Sequence, residues 1–261
     1  MDTLIQIFVF MFGAIVGSFL NVCIYRLPKN QSIVFPASHC TTCNRGLFWH
    51  DNIPILSYMS LRGRCRFCSA KISPRYIIVE FLTATLFLLL YIVFGFSVKF
   101  FAYAAFTAGL TISTFVDFEI QEIPDQISIG GAVLGLALAI AFPVMFDTVS
   151  RFQSFSNSLL GLLAGGGSIY AMGVLGKMVF KKEAMGGGDV KLMAMIGAFL
   201  GWKLVIFTFF VAPLFGAVVG IILKLKDGRE IIPYGPYLSL AAMIAILFGN
   251  KILGMFLGGL F

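Results

Sequence analysis

Charged side chains are scarce in this sequence. Asp, Glu, Lys and Arg make up only 12% of its 261 residues, whereas 59% are hydrophobic, and the mean hydropathy is +0.96. A soluble domain carries roughly twice this fraction of charge. The scarcity excludes a soluble protein and predicts an all-α polytopic membrane protein.

The N-terminus also lacks the basic cluster that begins a secretory signal peptide. It carries Asp2 instead, its apolar run over residues 4–25 is too long for such a peptide, and Arg26 and Lys29 follow the run. This order predicts a retained first transmembrane helix whose N-terminus lies outside the cytoplasm.

Further apolar stretches are long enough to cross a bilayer, which takes about 20 residues. The sixth is short and bounded by glycines, so its limits are the least defined. We expect about eight spans, at residues 4–25, 76–96, 100–116, 127–146, 159–180, 190–201, 204–223 and 237–257.

This topology divides the basic residues unequally. Of the 19 Lys and Arg residues, 15 fall on the cytoplasmic side, in agreement with the positive-inside rule. The formal charge of +7 is therefore an orientation signal, and we expect no nucleic-acid binding. The basic residues on the outer side are Lys99, Arg151, Lys203 and Lys251.

One polar segment, residues 28–75, separates the first two spans. It contains two CxxC pairs about 20 residues apart, a spacing typical of zinc sites in which each pair supplies two thiolates. The reducing cytoplasm argues against disulfides, and a segment this short gains stability from a metal. The predicted ligands of a structural Zn²⁺ are Cys40, Cys43, Cys65 and Cys68.

Other interpretations of these residues stay open. The four cysteines could be reduced thiols or a redox pair, and His39 or His50 could replace one of them as a ligand. Cys23 lies in the first span, where we interpret it as a small apolar packing residue.

Two acidic residues stand at the ends of predicted spans, although the transmembrane interior is otherwise nearly devoid of charge. Asp117 follows the third span, and Asp189 precedes the sixth. Acidic residues at the edge of the hydrocarbon are costly and mark functional sites. The topology places both at the cytoplasmic boundary, where two aspartates that share a proton can activate a water molecule.

Glycines accompany the second of these acids. Gly186, Gly187 and Gly188 precede Asp189 and supply backbone without Cβ, which permits a substrate or another helix to approach closely. Gly235, between two prolines, either belongs to an irregular loop near the site or begins the eighth span.

With these motifs the sequence resembles the prepilin leader peptidases, bifunctional membrane enzymes of the GxGD aspartic protease class. The resemblance covers nearly the whole chain. The segments that carry it are 17–28 (GSFLNVCIYRLP), the paired CxxC motifs, 49–58 (WHDNIPILSY), 72–80 (ISPRYIIVE), 117–125 (DFEIQEIPD), 186–192 (GGGDVKL) and 233–236 (PYGP).

The resemblance implies an enzyme that removes the basic leader from prepilins or pseudopilins after a glycine, on the cytoplasmic side. It then methylates the new N-terminal amine with S-adenosylmethionine. The expected setting is the bacterial cytoplasmic (inner) membrane, with a pilus or type II secretion machinery as partner. The implied domains are a first transmembrane helix at 1–27, a zinc-binding, methyltransferase-associated insert at 28–75 and an aspartic peptidase domain at 76–261.

The resemblance also selects catalytic residues. Its pattern is an aspartate followed several residues later by Ile/Leu-Pro and then Asp or Asn. Because the last position can be Asn, a carboxylate there is dispensable. The essential carboxylate is therefore the first one, Asp117, which we pair with Asp189. Asp125 is the alternative and otherwise caps the fourth span. Lys191 joins the glycines as part of a supporting loop.

The site of the methyl donor is less defined. No Gly-rich strand–turn–helix of the Rossmann type is visible, so a donor site would have to be built from the insert and nearby helix ends. By resemblance, Asn52, Glu80 and the 49–54 segment are candidate contacts. Glu80 could instead pair with Arg75 or Arg26.

Two functions from other classes compete with this one. A transporter or channel would suit eight spans with membrane-edge acids, but both acids lie at one face and no inverted repeat is evident. A non-enzymatic scaffold organised by the insert leaves the placement of both aspartates unexplained.

Overall fold

The computed structural model describes residues 2–181, 185–227 and 233–256, and these residues form helices without any β-strand. Lys182 and Arg229, counted above on the cytoplasmic side, lie outside the described residues, as does residue 257 at the end of the eighth predicted span. The α-helices are α1 (Asp2–Arg26), α2 (Leu56–Ser60), α3 (Arg75–Phe94), α4 (Val98–Ile120), α5 (Asp125–Ala141), α6 (Arg151–Phe180), α7 (Gly187–Asp227), α8 (Gly235–Ile244) and α9 (Asn250–Phe256).

Within the described part of the chain, five helical segments are long and apolar enough to cross a membrane: α1 with the short turn that follows it, α3, α4, α6 and α7. Two shorter apolar helices correspond to the fourth and eighth predicted spans, α5 and the Gly235–Gly249 segment. The prediction of an all-α multi-pass membrane protein is confirmed.

A break inside α7 explains why the sixth and seventh predicted spans fall within one helix in the structure. Gly201 has φ 74° and ψ 174°, which is not helical, and this positive φ favours a residue without Cβ. The break coincides with the predicted boundary between the spans at 190–201 and 204–223. The sixth and seventh spans are therefore the two parts of α7.

The chain forms two compact units, residues 1–100 and 101–261. In the first, α1 packs against α3 through Gly13 and Gly17. A Cβ at either glycine would lie 2.7 Å from the Cα of Ala84 or Glu80, respectively. Backbone contact this close fits the small-residue packing of membrane helices.

The polar insert between α1 and α3 belongs to the same unit. It contains two isolated antiparallel bridges, His39 with Gly46 and Arg64 with Lys71. A 3₁₀ turn at Trp49–Asn52 leads through Ile55 into α2. At the start of the insert, Arg26 donates hydrogen bonds to the carbonyl oxygens of Ser32 and Pro36, at 3.0 and 2.7 Å.

In the second unit, α7 packs against α5, α6 and α8. Phe106 of α4 stacks on Phe199 of α7 with a centroid distance of 4.6 Å. Gly161 of α6 and Gly197 of α7 face each other so closely that a Cβ on one would meet the backbone of the other. The ends of α4, α7 and α8 are positioned by this packing.

The matched glycines of α6 provide a test of the close packing. Gly161→Ala should lower the unfolding free energy by about 1–3 kcal/mol, because the new methyl group overlaps α7 backbone. Gly167→Ala is the control, since a Cβ there meets nothing within 4 Å and alanine favours the helix. Thermal unfolding of the purified variants in detergent measures both effects, and equal midpoints for Gly161→Ala and wild type would contradict the packing.

Candidate active site

Asp117 lies in the last turn of α4 and is buried, with 5% of its surface exposed. The helix ends just beyond it, where Gln121 adopts a left-handed conformation with φ 55° and donates its N–H to the Asp117 carbonyl at 3.0 Å. The Asp117 side chain reaches another element, since its Oδ2 accepts the backbone N–H of Gly235 at 2.8 Å.

Asp189 lies in the first turn of α7. Its side chain is half-buried, and its backbone N–H donates to the Gly186 carbonyl oxygen at 3.2 Å. A Cβ at Gly186 would stand 3.3 Å from Asp189 Oδ2, so the residue without a side chain leaves room for the carboxylate.

The fold brings the two aspartates together within the second unit. The charge of Asp117 acts directly on the Asp189 carboxylate. The packing of α4 and α8 against α7 thus creates a carboxylate pair from residues 72 positions apart in the sequence. Two acids whose charges reach each other can divide the roles of base and acid between them.

Gly235 completes the surroundings of Asp117. It is the first residue of α8, so the N–H that it donates to Asp117 belongs to a helix N-terminus, which favours an anion. A Cβ at this position would lie 2.8 Å from Asp117 Oδ2 and 3.3 Å from Ile123 Cδ1. Of the two roles left open for this segment, the structure gives it both: Gly235 begins the helix and contacts the site.

Ile123 and Tyr234 are neighbours of the pair that the sequence did not single out. Ile123 is buried and lies against both Gly188 and Gly235. The charge of Asp189 acts on Tyr234, whose hydroxyl is buried and has no hydrogen-bond partner among the described residues. Their apolar or aromatic types carry no signal of a site in an apolar sequence, so only the fold reveals them.

Asp125 and Lys191 form an ion pair beside the carboxylate pair. Lys191 Nζ lies 2.7 and 2.9 Å from the two carboxylate oxygens of Asp125, and this contact joins the starts of α5 and α7. The two side chains are 56% and 43% exposed, so solvent screens the pair and its contribution to stability is small. Asp125 is the first residue of α5 after Pro124, and its carboxylate is engaged with a cation.

In the first unit, the two CxxC motifs form two loops of the same geometry. The N–H groups of Asn44 and Ser69 donate to the carbonyl oxygens of Cys40 and Cys65, at 2.9 and 3.0 Å. Both donors have positive φ, 54° and 57°. Each loop therefore turns tightly and presents its two thiols on one side.

The four thiols converge. The Sγ atoms of Cys40, Cys43, Cys65 and Cys68 lie within 4.8 Å of one another, and Cys40 and Cys68 are 3.9 Å apart. Tetrahedral Zn–S bonds of about 2.3 Å place sulfurs about 3.8 Å apart, so these residues fit a metal. The Cys43 backbone N–H lowers the pKa of the Cys40 thiol to about 6.

Histidine is not part of this cluster in the described residues. The His39 ring nitrogen Nδ1 lies 3.0 Å from the Ala37 carbonyl oxygen, and His50 stacks on Phe48 with a centroid distance of 5.3 Å. Within the described residues, the side chains that could hold a metal here are the four cysteines.

Two carboxylates fasten the insert. Asp51, whose side chain is 2% exposed, binds the Arg66 guanidinium at 2.7 Å, and this hydrogen bond lowers the pKa of Asp51 below its ordinary value. Glu80 Oε2 accepts the Ile55 N–H at 2.8 Å. The Asn52 side chain, between them in the sequence, is exposed.

Family models match both units. One described as Bacterial Peptidase A24 N-terminal domain matches residues 11–94, and one described as Type IV leader peptidase family matches residues 104–221. Among relatives named prepilin leader peptidase/N-methyltransferase, one from Pseudomonas aeruginosa is 35% identical over 268 residues, which cover 93% of this chain and 90% of the relative.

The chain belongs to the prepilin leader peptidase/N-methyltransferase family.

Two more relatives with this name agree. One from Neisseria gonorrhoeae is 33% identical over 89% of this chain and 86% of its own length. One from Myxococcus xanthus is 40% identical over 87% of this chain, but the alignment spans only 65% of that relative. No solved structure matches the chain.

Membership in the prepilin leader peptidase/N-methyltransferase family confirms the resemblance and makes the chain an enzyme of prepilin processing and methylation. A transporter or channel is not supported.

Gly235 offers a test of how the carboxylate pair is held. Gly235→Ala should reduce prepilin cleavage by about tenfold or more, because a methyl group 2.8 Å from Asp117 Oδ2 displaces that carboxylate. Gly130→Ala in α5 is the control, since a Cβ there meets nothing within 4 Å. Cleavage rates of the purified variants decide the matter, and a Gly235→Ala enzyme as fast as wild type would show that Asp117 tolerates the shift.

Proposed function

We propose that the chain cleaves the basic leader from type IV prepilins or pseudopilins after a glycine, using Asp117, Asp189 and water. It then methylates the new N-terminal residue with S-adenosylmethionine. The observation that carries the peptidase proposal is the meeting of the two carboxylates at the ends of α4 and α7. Gly186, Gly187, Gly188 and Lys191 form the supporting loop.

In the proposed peptidase reaction, one aspartate is ionised and the other is protonated. The ionised carboxylate takes a proton from water as the water oxygen attacks the scissile carbonyl carbon. The protonated carboxyl hydrogen-bonds the carbonyl oxygen and stabilises its developing charge. Collapse of the tetrahedral intermediate breaks the C–N bond, and the leaving amine takes the proton that the first aspartate received from water, which restores the ionised carboxylate.

Contacts in the site support an assignment of these two roles. Asp189 lies at the N-terminus of α7, a setting that favours the ionised form. Asp117 also accepts an N–H from a helix N-terminus, that of Gly235 on Oδ2, but it lies in the last turn of α4, where the helix C-terminus disfavours an anion. Its Oδ1 is left to carry the proton. We therefore propose Asp189 as the general base and Asp117 as the acid.

The proposed setting is the bacterial cytoplasmic (inner) membrane. The 15 of 19 basic residues that fall on one side support a cytoplasmic position for the insert and the carboxylate pair. A substrate helix in the bilayer then keeps its basic leader on the same side. The pilus or type II secretion machinery that assembles the product is the proposed partner.

A structural zinc ion is the proposed occupant of the four-cysteine cluster. Four protein ligands leave no open coordination position, so the metal stabilises the insert and does not activate water. We propose three domains: a first helix at 1–27, the methyltransferase-associated insert that contains the cysteines at 28–75, and the peptidase domain at 76–261.

The methyl-donor site is proposed at the insert and the adjoining helix ends. When bound, S-adenosylmethionine supplies an electrophilic methyl group. Asn52 is the proposed contact, because its amide side chain is exposed on the 49–52 turn. Glu80 adjoins this part of the insert, since its carboxylate is hydrogen-bonded to Ile55.

The three aspartates near the site separate the peptidase assignments. Asp117→Asn and Asp189→Asn should each lower prepilin cleavage by about 10²–10⁴-fold, because each removes a group that transfers or holds a proton. Asp125→Asn loses only an exposed ion pair and should stay within about threefold of wild type. The assay is loss of leader mass from a purified prepilin in detergent; full cleavage by the Asp117 and Asp189 variants, or loss in the Asp125 variant alone, would overturn the assignment.

Metal analysis tests the zinc proposal. The purified enzyme should contain about one zinc per chain, and Cys40→Ser should lower this content because a tetrahedral site loses one of its four ligands. Cys23→Ser is the control, since Cys23 lies in α1 and outside the cluster. Retention of zinc by the Cys40 variant, or loss of zinc in the Cys23 variant, would contradict the four-cysteine site.

A further inference from the structure

The backbone at Ile55 adopts a conformation that its side chain disfavours. Its φ of 64° and ψ of −52° lie on the left-handed side of the conformational map, which β-branched residues rarely occupy. The N–H of Leu56 donates to the Pro54 carbonyl at 2.6 Å across this residue. The three residues form a tight γ-turn, which persists only where the surroundings hold it.

Glu80 supplies the contact that holds this turn. The Ile55 N–H precedes α2, so it has no acceptor within that helix, and Glu80 Oε2 accepts it at 2.8 Å. The side chain of Ser18 in α1 also lies near the Glu80 carboxylate. Only 7% of Glu80 is exposed, and Gly17 packs against its backbone, so the acceptor is fixed to the α1–α3 pair.

The other end of the same segment is fixed to the cysteine loops. Asp51, four residues before Ile55, binds Arg66 through Nε at 3.0 Å and Nη2 at 2.7 Å. Arg66 stands between Cys65 and Cys68 in the second CxxC motif. Residues 51–55 are therefore held between the metal-binding loops and the membrane helices.

Two side chains on and next to this segment are exposed to solvent. Trp49, on the same 3₁₀ turn, has 81% of its surface exposed, and Asn52 is exposed as well. A segment fixed at both ends keeps such groups in one orientation without using them to hold the fold. That is the arrangement a binding segment needs, because a misplacement of about 1 Å costs about 10²-fold in rate.

We propose that Glu80 is a positioning residue for methyl transfer: its carboxylate oxygen accepts the Ile55 N–H and thereby holds the γ-turn that orients residues 49–54. Glu80 acts through this turn and does not contact the methyl donor. The inference rests on the proposed placement of the methyl-donor site at the insert and goes beyond it by assigning Glu80 a mechanical role.

Two substitutions at Glu80 separate an acceptor from a charged ligand. Glu80→Gln keeps an acceptor oxygen and removes the negative charge, so methylation should stay within about threefold of wild type. Glu80→Ala removes the acceptor, so methylation should fall by about tenfold or more, with a raised KM for S-adenosylmethionine. Prepilin cleavage should stay within about twofold in both variants, because the proposed catalytic aspartates lie in the other unit.

Controls distinguish a local effect from damage to α3. Thr85→Ala changes a half-buried side chain of the same helix, whose hydroxyl donates to the Phe81 carbonyl within that helix, and should leave both activities unchanged. Ile55→Gly in the Glu80→Ala background should recover part of the methylation, since glycine adopts the positive φ without cost.

Hydrogen exchange measures the effect of the Glu80–Ile55 hydrogen bond without relying on activity. In the zinc-loaded full chain, peptides that cover residues 53–60 should exchange about tenfold faster in Glu80→Ala than in wild type, and at the wild-type rate in Glu80→Gln. If wild type fails to methylate while this exchange pattern holds, the proposed methyl-donor function is wrong, but the role of Glu80 in holding the turn at Ile55 is supported.

Three results would overturn the proposal. Equal loss of methylation in Glu80→Gln and Glu80→Ala would assign the residue a charged role at the donor. Normal methylation in Glu80→Ala would show that methyl transfer does not depend on the Glu80–Ile55 contact. Loss of cleavage together with methylation in Glu80→Ala would make Glu80 a residue of general structural importance.

Discussion

A buried carboxylate at the end of a membrane helix needs a hydrogen-bond donor, and in this protein one backbone N–H supplies it. Gly235 donates to Asp117 at 2.8 Å, at a position where any side chain would displace the carboxylate. A buried charged or polar group without such a partner costs several kcal/mol. The start of α8 must therefore lie at the end of α4, and α7, packed against α8, carries Asp189 into the same place.

Glycines permit this arrangement at several distances from the site. Between α6 and α7, Gly161 and Gly197 bring two backbones into direct contact, and Gly201 breaks α7 so that its two parts run separately. Without a hydrophobic driving force between helices in lipid, close packing of small residues is what holds a bundle together. The precision of the carboxylate pair depends on these residues as much as on the aspartates themselves.

The insert solves a different problem, that of ordering a short polar segment with little apolar core. Its described part is held by the convergent cysteines, the Asp51–Arg66 pair and the Glu80–Ile55 contact. Each links residues far apart in the sequence, and together they fix the 49–54 stretch while Trp49 and Asn52 stay exposed. We propose that the two activities of the family use two kinds of site: a carboxylate pair made by helix ends, and a polar surface held by the four cysteines and two buried acids.

The sequence by itself determined the membrane class, the position of the helices and the family, because hydropathy, charge bias and motifs are local properties of the chain. It also singled out the four cysteines and both aspartates as candidates, since acids and thiols are rare here and stand out. Only the tertiary structure decided what surrounds them: the Gly235 donor, the Ile123 and Tyr234 neighbours and the Glu80 contact. The partners of the aspartates are apolar, aromatic or backbone groups, which do not stand out in an apolar sequence. The Glu80 contact joins residues 25 positions apart. Only the packing of the helices shows that these groups meet.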